Sequence, residues 1–240
     1  MTGIQVLPLE GMPEIEEGDD LAQLLAEAAG RTGGFENEDV LVVAQKAVSK
    51  AEGRIVALAD IEPSEEAHAH AGDGDARHVE VILRETARVV RSRPPLVIAE
   101  TRHGFVCASA GVDASNAPGS DTVVLLPVDP DASARALHER LGVAVIVSDS
   151  FGRPFRHGTT DVAIGVAGLP ALRDLRGTRD RTGYELKTTQ IAVADEIAGA
   201  AELVMGKADG IPAAIVRGLK LEGDGSAREL VMPPERDLFR

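Results

Sequence analysis

The sequence predicts an α/β fold of mixed α+β type, because short apolar runs alternate with segments of helical periodicity along its 240 residues. The core must be built from Val, Leu, Ile and Ala, since the chain contains no Trp, one Tyr and five Phe. This length suffices for one large domain or for two small lobes. No internal repeat, low-complexity block or linker is evident, so residues 1–240 are interpreted as a single unit.

Strand-like runs and one amphipathic segment make up the first quarter of the chain. The segment 21–29 places Leu21 and Leu25 on one face of a helix, and Asp20 lies where an N-cap is expected. Residues 45–50 follow a buried run directly and have the spacing of a helical first turn. Three runs rich in Val, Ile and Leu are predicted strands: residues 4–9, 40–44 and 54–58.

The middle of the chain contains a polar stretch, a helical pattern and a hairpin pattern. Residues 59–77 are expected to form a loop, because a proline and several glycines interrupt acids, alanines and histidines. Apolar side chains recur with helical spacing over 78–91, and Pro94 and Pro95 end this pattern. Two runs are predicted to form a hairpin around His103 and Gly104: residues 96–99 and 105–108.

The second half of the chain alternates in the same way. A helix is expected over 131–141, capped by Asp131 or Ser133, and another over 190–205. Residues 171–187 are mostly charged and are expected to form a flexible loop. The remaining apolar runs are predicted strands, apart from the glycine-rich run 162–168, which is left unassigned: residues 122–126, 143–147, 213–216 and 230–232.

The overall charge and composition restrict the kinds of molecule that the protein is expected to bind. The formal net charge is −14, and neither a basic face nor base-stacking aromatic residues are visible, so we expect no nucleic-acid binding. The acidic N-terminus is unlike a signal peptide, and no apolar run approaches the length of a membrane span. The single cysteine, Cys107, excludes an internal disulfide. We therefore expect a cytoplasmic protein with small-molecule ligands.

The most informative segment runs from 145 to 161. A β-branched run stops at Asp149 and Ser150, and two arginines, a histidine, glycines, threonines and a further acid follow. Such a cluster predicts a polyanion site, in which a carboxylate holds a metal and cations meet phosphate oxygens. Asp149 and Ser150 would point to opposite faces of a continuous strand, so we expect a turn at Gly152 to bring them together.

Three further clusters suit the same chemistry. Residues 113–116 offer an acid, a hydroxyl and an amide, which fit either a metal–phosphate site or a self-bonded turn. Lys46 and Lys50 share a helix face and repel each other, which favours an anion between them or a carboxylate for each such as Glu52, unless both are simply solvated. The glycine turn after the last helix could present backbone N–H groups to phosphate. Neither a P-loop nor a dinucleotide fingerprint is present.

Taken together, these segments resemble the coenzyme F420-0:γ-glutamyl ligase family over nearly the whole chain. Six ordered motifs carry the resemblance: Leu7-Pro8 with Gly11-Met12-Pro13-Glu14, Val48-Ser49-Lys50-x-Glu52-Gly53-Arg54, Ala110-Gly111-Val112-Asp113-x-Ser115-Asn116, the 149–161 segment, Val193-Ala194-Asp195-Glu196-Ile197, and Pro212-x-x-x-Val216-Arg217-Gly218. The resemblance implies a two-lobed α/β unit in an intertwined homodimer. The sequence ends at Arg240, so we expect the stand-alone ligase, similar to the N-terminal ligase domain of the actinobacterial fusion protein.

The resemblance also implies an activity and a set of site residues. The family adds L-glutamate to coenzyme F420-0, using GTP and Mg²⁺ or Mn²⁺, with two ions and K⁺ as a further ion. Ser150 stands where a threonine is usual, Gln45 where a serine or threonine is common, and Lys207 where some members carry glutamine. The implied metal-binding residues are Asp113, Asp149 and Ser150. The implied nucleotide-binding residues are Met12, Pro13, Glu14, Ile15, Gln45, Lys50, Asn116, Gly206 and Lys207.

The chemistry that follows is a hypothesis at this stage. GTP would phosphorylate the acceptor carboxylate to an acyl phosphate, which the glutamate amine then attacks. The expected catalytic residues are Asp149, Arg153, Arg156 and Asp161, and Asp161 or His157 either deprotonates the amine or only braces the loop. Two other classes stay open, a non-catalytic nucleotide-binding regulatory module and a metal-dependent phosphatase.

Overall fold

The computed structural model describes residues 3–238, which form a mixed α/β structure as predicted. The strands are β1 Gln5–Pro8, β2 Val40–Ala44, β3 Ile55–Ala57, β4 Thr86–Arg93, β5 Leu96–Thr101, β6 Val106–Ala108, β7 Thr122–Val124, β8 Ala144–Gly152, β9 Thr159–Ala167, β10 Arg173–Asp174, β11 Gln190–Ile191 and β12 Ala213–Arg217. The α-helices are α1 Leu21–Arg31, α2 Gln45–Ala51, α3 Glu65–Ala71, α4 Ala76–Glu85, α5 Pro130–Leu141 and α6 Val193–Met205. Within the described residues, no helix has the length and apolar character needed to cross a membrane.

The largest sheet has the strand order β1-β12-β2-β8-β9. β2 and β8 run parallel, and the other neighbours are antiparallel. The strands of its centre are Val- and Ile-rich and buried, and α5 and α6 pack against β9. Arg217 at the end of β12 forms two 2.8 Å hydrogen bonds to the fully buried carboxylate of Asp39, which precedes β2.

A second, separate hydrophobic cluster lies under the smaller sheets. The order there is β4-β5-β6, with β3 and β7 forming an antiparallel pair beside them. Its buried members come from α4, β5, β7 and the segments that follow β3, β6 and β7: Leu58, Val81, Ile82, Val97, Ala99, Ala110, Val112, Val123 and Leu125. The described residues therefore form two principal cores, and Asp113 pairs by a β-bridge with Val124 of β7, the strand that supplies Val123 to the second core.

Two expectations for the middle of the chain are wrong. Residues 59–77 are not all loop, because Ser64 accepts a hydrogen bond from the backbone N–H of Ala67 and caps α3. The helix expected over 78–91 starts at Ala76, ends at Glu85, and is followed by β4. The Thr, Val and Arg residues of β4 fit strand and helix periodicity alike, and pairing with β5 decides for the strand. The predicted hairpin of β5 and β6 is confirmed.

Three expectations for the second half also need correction. The N-cap of α5 is Asp129, not Asp131 or Ser133. Asp131 is buried and instead accepts hydrogen bonds from the backbone N–H groups of Val166 and Ala227. Residues 190 and 191 belong to β11, so α6 begins only at Val193. Residues 230–232 form no strand, because a short 3₁₀ helix occupies Ala227–Leu230.

Candidate functional site

A cavity of about 380 Å³ lies at the carboxyl ends of the parallel strands β2 and β8. Ligands in α/β proteins commonly bind at this edge of the sheet, where polar side chains follow buried strands. Its walls come from the 12–15 turn, the start of α2, the end of β8, Asp161 of β9, the end of α6 and the glycine turn after it. Segments far apart in sequence thus meet in one pocket.

Asp149 and Ser150 both line this cavity, but not for the reason expected. There is no turn at Gly152, because β8 continues to that residue, paired with β9. β2, however, ends at Ala44 opposite Ser148, so from Asp149 onward β2 is no longer paired with β8 on that side. The open strand edge lets side chains of either face reach the same space.

Four side chains at this edge form what we call the acceptor set: Ser148, Asp149, Ser150 and Asp161. The Asp161 carboxylate is buried and accepts a hydrogen bond from each serine. Ser150 Oγ donates to Asp161 Oδ1 at 2.6 Å, and Ser148 Oγ donates to Asp161 Oδ2 at 2.9 Å. Neither serine proton is therefore directed toward a ligand in the cavity.

The ionised form of Asp149, a member of the acceptor set, is destabilised by its surroundings. Burial, together with the nearby carboxylates of Asp161 and Asp113, raises the pKa of its carboxyl to about 7. The backbone N–H of Ser150 and the ammonium of Lys46 offset only part of this effect. A carboxylate in this setting favours a cation beside it.

A second group of cavity side chains, the donor set, consists of Gln45, Lys46, Lys50 and Lys207. The amide nitrogen of Gln45 is buried without a hydrogen-bond partner, although its Oε1 accepts a 2.9 Å bond from Ser49 Oγ. An unpaired buried donor is costly, so it fits an acceptor atom of a ligand. Lys50 is buried and bonded to Glu14, whose own side chain is 72% exposed.

Lys46 and Lys50 each have a carboxylate partner, so their proximity needs no anion between them. The partners are Asp113 and Glu14, not the suggested Glu52, which instead accepts a bond from Ser133. Burial raises the pKa of Asp113, but hydrogen bonds from Lys46 and Ser115 outweigh it and hold that pKa below its usual range.

Asp113 contributes no surface to the cavity, and its carboxylate is held by polar groups. Lys46 Nζ lies 2.6 Å from Asp113 Oδ2 and 2.8 Å from the Ser115 carbonyl, and Ser115 N donates to Asp113 Oδ1. The self-bonded turn that the sequence left open is thus present. The metal-binding role of Asp113 stays a prediction, which requires Lys46 to release it.

The remaining predicted nucleotide-binding residues all line the cavity, among them Met12, Pro13 and Ile15. Gly206 caps α6 with its N–H on the Glu202 carbonyl, and Asn116 Nδ2 donates to the Lys207 carbonyl at 3.3 Å. Glu202 is a titratable cavity residue that the sequence does not predict. Burial raises the pKa of Glu202, a residue of the last turn of α6, and Asp161 raises it further.

The arginines of the 149–161 segment are not in the cavity. Arg153, Arg156 and His157 lie in the exposed connection between β8 and β9, and Arg153 donates to the His157 carbonyl at 3.2 Å. The structure therefore does not bring them together with Asp149 and Asp161. Direct contact with reacting atoms at the cavity would require this connection to move.

The acceptor set offers oxygen ligands suited to Mg²⁺ or Mn²⁺, namely a poorly compensated carboxylate and a hydroxyl that presents its lone pairs. Between residues 3 and 238, no three His, Cys, Asp or Glu side chains form a cluster able to hold a metal. A cation held by Asp149 and Ser150 would thus take further ligands from a bound phosphate or from water. The residues present fit such a shared ion.

Comparison with known proteins matches this chain to one family. The family described as F420-0:Gamma-glutamyl ligase matches residues 11–218. The chain belongs to the F420-0:γ-glutamyl ligase family. Among curated relatives, the coenzyme F420:L-glutamate ligase of Methanopyrus kandleri is 49% identical, with 100% of both chains covered. Those of Methanothermobacter thermautotrophicus and Archaeoglobus fulgidus are 47% and 43% identical, with at least 96% of each chain covered.

Every cavity residue lies inside the span that the F420-0:γ-glutamyl ligase family shares with this chain, from Met12 to Pro212. The resemblance inferred from six motifs is therefore confirmed at the level of the family. The roles of individual side chains depend on the geometry described above.

Proposed function

We propose that this chain is a GTP- and divalent-metal-dependent ligase that joins L-glutamate to coenzyme F420-0. The observation that carries the proposal is the division of one cavity into a donor set and an acceptor set within a member of this ligase family. Donors suit phosphate oxygens, and acceptors suit a cation and an amine. A ligase of this type needs all three in one place.

The donor set would hold the phosphates of GTP. Lys50 can exchange Glu14 for a phosphate at small cost, because Glu14 is mostly exposed and returns to water. The orphan amide nitrogen of Gln45 and the ammonium of Lys207 supply further donors at the same cavity. Asn116, whose amide contacts the Lys207 carbonyl, would close this side around the nucleotide.

The acceptor set would hold the metal, through Asp149 and Ser150, and through Asp113 once Lys46 releases it. When bound, Mg²⁺ or Mn²⁺ neutralises phosphate charge and polarises the γ-phosphoryl group. Asp149 gains the cation that its buried charge lacks. Lys46, freed from Asp113, can turn its ammonium toward a phosphate.

The reaction proceeds in two transfers. An oxygen of the acceptor carboxylate attacks the γ-phosphorus of GTP, the bond to the β-phosphate oxygen breaks, and GDP leaves. The glutamate amine then attacks the acyl carbon, phosphate leaves, and the amine loses a proton. Glu202 is suited to accept that proton, since it lines the cavity and burial has raised its pKa. Both oxygens of Asp161 are already occupied by hydroxyl protons, and His157 lies outside the cavity.

Mass spectrometry of the reaction mixture tests the proposal. The chain is incubated with coenzyme F420-0, L-glutamate, GTP and Mn²⁺, and a glutamyl adduct is expected with equal release of GDP and phosphate. Asp149→Asn is expected to give no adduct. Release of AMP would contradict the acyl-phosphate route. Hydrolysis of GTP without dependence on glutamate would indicate a phosphatase, and binding without turnover a regulatory module.

We also propose that the active form is a homodimer in the cytoplasm, with Mn²⁺ and Mg²⁺ as alternative metals and K⁺ as an activator. Light scattering during gel filtration tests the dimer, with twice the 25.1 kDa chain mass as the expected value. Turnover with each divalent ion, in the presence and absence of K⁺, tests the metals. A monomer with full activity would contradict the dimer.

A further inference from the structure

The contacts of Asp161 define a role that differs from that of a base. Its side chain is buried, with the whole residue 5% exposed, and each carboxylate oxygen accepts one serine hydroxyl. A hydroxyl has a single proton, and a carboxylate has none to return. The direction of both bonds is therefore fixed, and the serines donate to Asp161.

This direction decides what the serines can offer to a ligand. Ser150 lines the cavity and has used its proton, so its oxygen presents only lone pairs there. Lone pairs suit a cation or an N–H group and repel a phosphate oxygen. If Ser150 lost this acceptor, its hydroxyl could rotate and donate to a phosphate, and the metal would lose a ligand.

Backbone register holds the three residues in place. Ser150 and Asp161 are directly paired across β8 and β9, whose side chains at paired positions share a face. Ser148 lies two positions earlier on β8 and therefore on the same face, from which it holds the second oxygen. Ser148 thus orients Asp161, and Asp161 orients Ser150.

We propose that Asp161 is a positioning residue that keeps Ser150 as an oxygen ligand for a divalent cation. The inference rests on the proposed function for the presence of that cation. Carboxylates that orient metal ligands typically contribute about 10- to 100-fold to metal affinity. Asp161→Asn keeps the shape but replaces one acceptor oxygen by a donor, so it should weaken the cation site without emptying the cavity.

The test is Mn²⁺ binding to the full chain, with and without GDP, followed by the electron paramagnetic resonance signal of free Mn²⁺. We expect Asp161→Asn and Ser150→Ala each to raise the Kd for Mn²⁺ about 10- to 100-fold. The double variant should be no weaker than either single variant, since both changes remove one interaction. Ser150→Thr keeps the hydroxyl and should bind like the wild type.

Several outcomes would overturn the inference: an unchanged Kd in Asp161→Asn, additive losses in the double variant, or equal effects of Ser150→Thr and Ser150→Ala. Circular dichroism and thermal unfolding show whether each variant is folded. If Asp161→Asn does not fold, the comparison of Ser150→Thr with Ser150→Ala still decides whether the hydroxyl of residue 150 is a ligand of the cation. Mn²⁺ binding by a wild type that forms no glutamyl adduct would refute the proposed function and leave this inference standing.

Discussion

Replacing Asp149 by asparagine should inactivate the ligase and also make the metal-free protein more stable. The carboxylate is held in a buried setting that raises its pKa from 3.8 to about 7, so at pH 8 it is ionised at a cost to the folded state. At 1.36 kcal/mol per pKa unit, that change corresponds to an upper limit of roughly 4 kcal/mol. Because the side chain is partly open to the cavity, we expect a gain of about 1–3 kcal/mol.

Urea unfolding at pH 8 in the presence of a chelator measures this gain. Asp174→Asn is the matched control, since Arg176 holds the pKa of that exposed carboxyl below its usual range and its removal should not stabilise the fold. Addition of Mn²⁺ should raise the stability of the wild type and leave Asp149→Asn unchanged. A metal-free Asp149→Asn that is less stable than the wild type would refute the electrostatic reasoning.

Two further substitutions test the donor set and the core. Lys50→Met should weaken binding of a non-hydrolysable GTP analogue about 10- to 100-fold by calorimetry, since a charge-assisted hydrogen bond contributes about 1.5–3 kcal/mol. The control is Lys220→Met at an exposed site, which should bind the analogue like the wild type. Equal affinities of the two variants would contradict the role of Lys50. Arg217→Met should lower the free energy of unfolding by about 3 kcal/mol, because it leaves the buried carboxylate of Asp39 without its cation. Arg228→Met, which removes an exposed 3.9 Å ion pair with Asp129, should lower it by less than ~1 kcal/mol. Similar losses in both arginine variants would contradict that account.

Local patterns predicted the elements whose type depends on their own side chains. The Val-rich strands and the helix capped by Asp20 appear where expected. Burial on both faces of a strand produces a continuous apolar run, and burial on one face of a helix produces apolar residues at helical spacing. The sequence favours a helix over residues 86–91, because the apolar spacing there fits both the helical and the strand period. Only the pairing of β4 with β5 distinguishes them, and that pairing is a tertiary contact.

Sequence motifs identified most of the cavity residues but not how they meet. Asp149 and Ser150 converge because β2 ends opposite Ser148, and the register of two parallel strands cannot be read from either strand alone. Glu202 was missed because it has no motif of its own, and only the position of α6 makes it a cavity residue. Arg153 and Arg156 stand in the same motif as Asp149 yet lie outside the cavity.

Polar contacts beside the cavity join segments that flank the two cores: Lys46 bonds to Asp113, and Asn116 bonds to the Lys207 carbonyl. A ligand held there would contact both of these segments and so connect the parts of the chain that surround the two cores. The hydrogen-exchange rates of β5 and β6 should then differ between the empty and the ligand-bound protein, although these strands line no part of the cavity. Occupancy of the nucleotide site would in this way reduce the local opening of a sheet whose strands lie outside the cavity.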